Sequence, residues 1–305
     1  MRHQIEAAIK EVSDVLYGKQ EAIQLALTCI FSQGHLLIED LPGMGKTTLA
    51  HGLAKVLGLE YQRLQFTSDM LPADILGVTI FDAASHQFKF HPGPVFTQLL
   101  LADEVNRTTP KTQSALLEAM EEGRVSIDGQ THQLPEPFFV IATQNPVTQQ
   151  GTFPLPESQL DRFLMRLELG YPDARAEREL LQGGDTRQRL ETMSRVISPA
   201  QLQAISAACA AVKVSDSIID YLQRLVAYSR QSADFSVGIS PRGALALLKA
   251  CRSWAFIQGR DYVIPEDLQQ LLGPVAGHRL RAADDMGLAA NALIQQLLSR
   301  VDVVA

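Results

Sequence analysis

Positive charge is in short supply: 27 Lys and Arg stand against 34 Asp and Glu, for a formal net charge of −7 and a pI near 5.5. That balance argues against a broad electrostatic grip on nucleic acid and confines any such contact to a local basic pore. Cysteine is scarcer still. Cys29, Cys209 and Cys251 are widely spaced, each inside an apolar helical pattern, so they read as reduced core thiols and not as a disulfide framework or a zinc site. The seven histidines show no paired ligand spacing. No apolar run approaches the length needed to span a bilayer, and the opening Met1-Arg2-His3-Gln4-Ile5-Glu6 lacks a signal-peptide core, so the cytoplasm is the expected compartment. Internal repeats and low-complexity tracts are missing too. What remains is a folded chain, 46% hydrophobic and 20% charged, whose 305 residues suit two domains.

The most informative stretch is Leu36-Leu37-Ile38-Glu39-Asp40-Leu41-Pro42-Gly43-Met44-Gly45-Lys46-Thr47-Thr48. A short apolar run reads as a buried strand, and Gly43 and Gly45 let the following loop wrap with its N–H groups turned inward around a polyphosphate. Lys46 reaches the β- and γ-phosphates as a point charge, and the Thr47 hydroxyl sits on Mg²⁺. A helix over Thr48 to Leu57 turns its positive end to the anion. The pattern departs from G-x-x-x-x-G-K-[ST] at one position, where Asp40 stands for the first glycine; Pro42 and Gly43 supply another tight turn.

Ahead of this loop, residues 3 to 33 read as two amphipathic helices broken at Tyr17-Gly18-Lys19-Gln20. Two readings of the break stand side by side: a nucleotide base packing on Val15, Leu16 and Tyr17, or a plain helix-joining turn. Beyond the loop, Tyr61 to Phe66 alternates like a strand. Val78-Thr79-Ile80-Phe81 and Phe88-Lys89-Phe90 flank a polar turn as a hairpin, an interruption of the kind that tends to carry function. Leu99-Leu100-Leu101-Ala102-Asp103-Glu104 is a buried strand ending in two carboxylates, an expensive arrangement unless the charges face a ligand. Asp103 is the candidate for holding Mg²⁺ through its waters and Glu104 for polarising an attacking water.

Thr109, Pro110 and Gly123 bracket a helix. Arg124 to Leu134 forms a second hairpin on a primed Asp128-Gly129 turn. Phe138 to Ala142 is another buried strand, ending at Thr143-Gln144-Asn145-Pro146, where Asn145 holds the lytic water or belongs to an ordinary turn. A last strand runs from Leu164 to Leu169. Tyr171-Pro172-Asp173 marks the end of the α/β part, and the polar Gln182 to Arg189 stretch reads as a linker or frayed helix end. The remainder has helical spacing without a confident strand, and so predicts a helical bundle. Within it Ser240 caps a helix begun by Pro241, putting Arg242 where a cation opposes the dipole; it either reaches a phosphate lodged in the preceding domain or is a tolerated surface Arg.

Taken together, these residues resemble AAA+ ATPases of the MoxR family over nearly the whole length. The resemblance rests on Pro42-Gly43-Met44-Gly45-Lys46-Thr47, Leu101-Ala102-Asp103-Glu104-Val105-Asn106-Arg107, Ala142-Thr143-Gln144-Asn145-Pro146, Gln159-Leu160-Asp161-Arg162-Phe163 and Ser240-Pro241-Arg242. It implies an α/β fold: an αβα P-loop domain with a parallel five-stranded sheet and β-hairpin inserts, here placed at 1–170, then a linker over 171–195 and an α-helical lid over 196–305. It also implies ATP and Mg²⁺ as cofactors, with Tyr17, Gly18, Pro42, Gly43, Met44, Gly45, Lys46, Thr47 and Thr48 around the nucleotide and Thr47 and Asp103 at the metal. Glu104, Asn145 as sensor 1, Arg242 as sensor 2 and Arg162 as a finger offered to a neighbouring subunit are the implied catalytic residues. A homo-oligomeric ring, commonly a hexamer, and a von Willebrand factor A domain partner complete the expectation, in the role of a chaperone-like remodeller or maturation factor. A nucleotide-controlled adaptor is the alternative, and a DNA motor or chelatase-type subunit is disfavoured by the acidic balance.

Overall fold

The structure is a computed structural model that describes residues 1–145, 152–182, 186–283 and 290–303. Pro146 of the Asn-Pro turn and residues 183–185 of the polar connection lie outside the described residues.

Two helices, α1 (Arg2–Ser13) and α2 (Gln20–Phe31), precede the first strand β1 (His35–Glu39) and the helix α3 (Lys46–Leu57). Then come β2 (Tyr61–Gln65), α4 (Pro72–Leu76), the hairpin β3 (Gly77–Asp82) and β4 (Gln87–Pro92), and β5 (Leu99–Asp103). Helix α5 (Pro110–Glu122), a second hairpin of β6 (Arg124–Ile127) and β7 (Gln130–Gln133), β8 (Phe139–Gln144), α6 (Glu157–Leu160) and β9 (Phe163–Leu167) follow. The rest is α7 (Ala174–Gln182), α8 (Thr186–Thr192), α9 (Pro199–Ala210), α10 (Asp216–Gln231), β10 (Phe235–Val237), α11 (Pro241–Ile257), α12 (Pro265–Ala276), β11 (Arg281–Ala282) and α13 (Ala290–Arg300).

β1, β2, β5, β8 and β9 form one parallel sheet in the order β2-β5-β8-β1-β9. Successive strand residues point to opposite faces, and the central strands β1, β5 and β8 carry unbroken apolar runs (36–38, 99–102 and 139–142), so each feeds two cores. Leu36, Ile38, Leu99, Leu101, Phe139 and Ile141 join one core; Leu37, Leu100, Ala102, Val140 and Ala142 join the other. The first core runs without a break through α1, α2 and α3 into the lid residues Cys251, Leu268, Leu271 and Leu272. A buried hydrogen bond between the Ser32 and Ser253 hydroxyls, 2.8 Å long, ties α2 to α11. The lid therefore shares its hydrophobic interior with the α/β part.

Both hairpins form where expected. Asp128 (φ 51°) and Gly129 (φ 77°) make the primed turn of the second, since only two positive φ angles match the twist of its strands. Phe90 of the first hairpin stacks on His132 of the second, with ring centroids 3.9 Å apart, so the inserts touch. Local readings are refined in three places. The helix after the loop starts at Lys46, two residues early. Of the two readings of the polar stretch at 182–189, a linker or a helix end, the helix end holds, with α7 closing at Gln182 and α8 opening at Thr186. Among the described residues the lid is helical except for an isolated Lys213–Tyr262 bridge and a short antiparallel ladder, Phe235 with Ala282 and Val237 with Arg281, too brief for alternation to reveal it.

Candidate nucleotide site

Lys46 opens α3, and Gly45 caps it at φ 92°. The first N–H groups of the helix lack intrahelical acceptors and face the loop's interior, where the dipole is positive. Glycine is favoured at 45 by the left-handed φ, and a Cβ there, 2.6 Å from Leu16 Cδ1, would also make that side chain turn aside. Gly43 (φ 86°) has open space around it and needs glycine for its conformation alone. Pro42 and Gly43 are exposed, Met44 packs on the core, and Thr47 and Thr48 are half-buried.

The Lys46 ammonium is buried and donates to the Asp40 carbonyl at 2.6 Å and to Asn145 Oδ1 at 3.5 Å. Burial lowers its pKa, against the opposing pull of the Asp40, Asp103 and Glu104 carboxylates. Asp40, the residue that departs from the P-loop pattern, has its own task. Its carboxylate accepts from the N–H groups of Leu41 (2.8 Å), Leu169 (2.7 Å) and Gly170 (2.6 Å), so it fastens the start of the loop to the end of the edge strand β9. A glycine could not make that link.

Sheet order assembles the rest. β8 is intercalated between β1 and β5, which sets Asn145 between Lys46 and Glu104. Asn145 Nδ2 donates to Glu104 Oε1 at 3.0 Å, giving a continuous chain from ammonium through amide to carboxylate. Glu104, at φ 58°, turns out of β5. Its N–H donates to the Thr143 hydroxyl at 2.9 Å, and that hydroxyl donates to Asp103 Oδ1 at 2.6 Å. Two further cations and an amide were not anticipated. Arg63 pairs with Asp103 Oδ2 at 2.7 Å, Gln65 donates to Glu104 Oε2 at 2.8 Å, and Arg107 reaches the same oxygen at 2.9 Å. Arg63 and Gln65 share a face of β2, a parity visible in the sequence, but only the β2–β5 register (Gln65 opposite Asp103) says what that face meets.

The break between α1 and α2 reaches the loop through Leu16 and α7 through Gly18, where a Cβ would lie 2.6 Å from Ala176 Cβ. The Tyr17 hydroxyl accepts from Arg189. Beside Gly18 and Lys19 lies a cavity of about 420 Å³ bordered by Leu25, Leu167, Leu169 and Pro274.

Arg162 and Arg242 are elsewhere. Both lie at the His35 end of β1, at the bottom of the sheet, separated from the loop by the strand's length, about 13 Å at roughly 3.3 Å per residue. Arg242 is not brought to its own chain's loop, because α11 packs on α2 and begins beside the start of β9. Glu121 receives both: Arg242 Nη2 at 2.6 Å and Arg162 Nη2 at 3.2 Å. Next to them Arg279, almost fully buried, donates to Asp161 Oδ1 at 2.6 Å and to the carbonyls of Phe163 (2.7 Å) and Leu164 (3.2 Å), pinning the end of α12 to the chain around Arg162. Among the described residues there is no cluster of three or more His, Cys, Asp or Glu able to hold a metal by itself.

A parallel sheet with an inserted strand, a glycine-bearing loop on a helix N-terminus, a desolvated lysine, and Asp and Glu at the next strand but one define a P-loop nucleoside triphosphatase. Residues 35–165 match the model of the ATPase family associated with various cellular activities (AAA), and residues 227–297 match the AAA lid domain. The chain is 44% identical over 299 residues to the YeaC protein of Bacillus subtilis, covering 97% of this chain and 93% of that one. It is 39% identical over 288 residues to Chaperone MoxR1 of Mycobacterium tuberculosis, covering 91% and 76%. The crystal structure of a Cytophaga hutchinsonii protein assigned as an ATPase superposes with a TM-score of 0.89 at 36% identity, covering 99% of this chain and 95% of that one. The chain belongs to the MoxR family of AAA+ ATPases and is a chaperone-like ATPase of that family.

Proposed function

We propose that the chain works as a ring, of hexameric size by the family resemblance, in which each ATP is bound by one subunit and hydrolysed with arginines of the next, and that turnover remodels a protein client. The observation that carries this reading is the division of the site. Asn145 bridges Lys46 and Glu104 at one end of the sheet, while Arg162 and Arg242 are gathered at the other. Two guanidiniums that cannot serve their own loop are well placed to serve a neighbour's. The residues fit ATP through the Gly43 and Gly45 turns, the helix N-terminus and the Lys46 cation, with the cavity beside Gly18 and the half-buried Tyr17 as room for the base. Mg²⁺ takes few protein ligands and keeps several waters, so Thr47 and Asp103 are an adequate protein share, and the ion would neutralise charge on the phosphates.

In this reading Glu104 polarises the attacking water and accepts its proton, while Asn145 orients the Glu104 carboxylate and touches Lys46. Gln65 and Arg107 hold the other Glu104 oxygen and so fix its direction. Arg162 supplies positive charge across the subunit contact as charge spreads over the γ-oxygens, an effect that can be worth roughly 10³–10⁵ in rate. We take residues 1–170 as the nucleotide-binding domain, 171–195 as the connection and 196–305 as the lid.

A polypeptide client is supported by the first hairpin. Phe81 and Phe88 meet edge to face at its tip, 50% and 73% exposed, and its one Lys or Arg, Lys89, is paired with Asp82, leaving no free cation there for a phosphate backbone. A von Willebrand factor A domain protein is the partner class that the resemblance supplies, and the cytoplasm the compartment. The test mixes Arg162→Ala with Lys46→Ala subunits. Each alone is expected to be inactive, and the mixture is expected to regain ATPase activity because one supplies a loop and the other a finger. Inactivity at every ratio, with co-assembly shown by sizing, would remove the shared-site reading.

A further inference from the structure

We propose that Glu121 is a positioning residue that sets Arg162 and Arg242 as a pair for the neighbouring subunit's phosphate; the proposal rests on the shared-site reading above. The two arginines come from unrelated elements, one from the turn before β9 and one from the first turn of α11, and the Glu121 carboxylate is the group that joins them, one oxygen to each. Asp161, the other acid in this cluster, has one oxygen bound to Arg279 at 2.6 Å and approaches Arg242 only to 3.9 Å. With Arg162, Arg242 and Arg279 against Glu121 and Asp161 the cluster keeps one net positive charge, which leaves it attractive to an incoming phosphate. These side chains line a cavity of about 300 Å³ with His35 and Ala246.

Helix ends show that the arrangement is not there for helix stability. Glu121 lies in the last turn of α5 and Arg242 in the first turn of α11, so each charge meets the like end of its own dipole. Each is offset by the other. Removing the carboxylate leaves two guanidiniums that repel each other and, for Arg242, a half-exposed side chain with a local preference for solvent. Misplacement of that kind acts on the transition state of the neighbour's reaction and not on the binding of its ATP.

The experiment uses a directed pair of full-length chains. Lys46→Ala subunits donate arginines and cannot bind nucleotide; Arg162→Ala/Arg242→Ala subunits bind nucleotide and lack arginines. Activity of this reference pair tests the shared site itself, so its absence would discard that reading and this proposal with it. Glu121→Gln is then added to the donor or to the acceptor. The expected result is a loss of about tenfold or more in kcat, with KM changed less than about twofold, when the change is in the donor. The loss should be several times smaller when it is in the acceptor. Full kcat with Glu121→Gln in the donor would overturn the proposal, and so would equal losses from either subunit, which would mean that Glu121 only supports its own α5.

Discussion

Lys46 and Glu104 have separable duties. Lys46 puts its ammonium at the loop, buried against Asp40 and Asn145, so Lys46→Ala is expected to abolish nucleotide binding. Glu104→Gln keeps the acceptor for Asn145 and the overall shape, but an amide cannot take a proton; it should bind ATP normally and turn over at least about 10²-fold more slowly. Equilibrium binding of a fluorescent ATP analogue and steady-state hydrolysis separate the two; normal ATP affinity in Lys46→Ala would dismantle the site. Lys46, Thr47, Asp103 and Glu104 were legible in the sequence because their chemistry is tied to short spacings. Arg63 and Gln65 were not, because a polar side chain on a strand gives no hint of which acid it will face; Arg107 meets Glu104 three residues back only because a short helical turn over 105–107 follows the strand.

At the scale of elements, the strand-loop-helix unit β1–α3 depends on close contact between its loop and the preceding break. Gly45→Ala puts a side chain at a φ of 92° and its Cβ 2.6 Å from Leu16 Cδ1, so the backbone is strained and the Leu16 side chain must turn aside. We expect a loss of at least about tenfold in ATP affinity and roughly 1–3 kcal/mol in stability, from the strain of the left-handed backbone together with overpacking. Calorimetric ATP titration together with a denaturant melt tests this, and an unchanged affinity would mean that the loop relaxes freely. The ladder β10–β11 and the helices α7 and α8 escaped the sequence because each is short and its pattern is dictated by what it packs on.

For the whole molecule, the bottom of the sheet carries a pH response. His35 accepts the Val140 N–H at Nδ1 and lies 3.0 Å from the Met120 carbonyl through Nε2, so the neutral ring fits and a second ring proton does not. Burial lowers its pKa to about 4, from an ordinary 6.5. His278, buried beside Arg279, is also held well below 6.5 by burial first and by that charge second. A histidine with a depressed folded pKa leaves stability intact above about pH 6.5 and erodes it as pH falls, because the unfolded chain takes the proton first. For His35 the window is roughly pH 6.5 to 4, at most about 1.4 kcal/mol per pH unit. His35→Gln, which can accept and donate in place of the ring, should flatten part of the fall in melting temperature between pH 7.5 and 5. Equal slopes in the two proteins would show that His35 does not carry the response.

From the sequence alone came the phosphate loop, the acid-tipped strand, both hairpins with the Asp128-Gly129 turn, and the helical character of the C-terminal third. All of these are encoded within about a dozen neighbouring residues, where spacing and backbone preference decide the outcome. The tertiary structure alone decided that Asp40 bonds to residues 169 and 170, that Arg63 and Gln65 meet the carboxylates of Asp103 and Glu104, and that Arg162 and Arg242 share Glu121 far from their own loop. Those pairings join residues from about 40 to about 130 positions apart. They follow from strand order and from the packing of α11 on α2, and so are fixed by the burial of two whole cores and not by any local pattern.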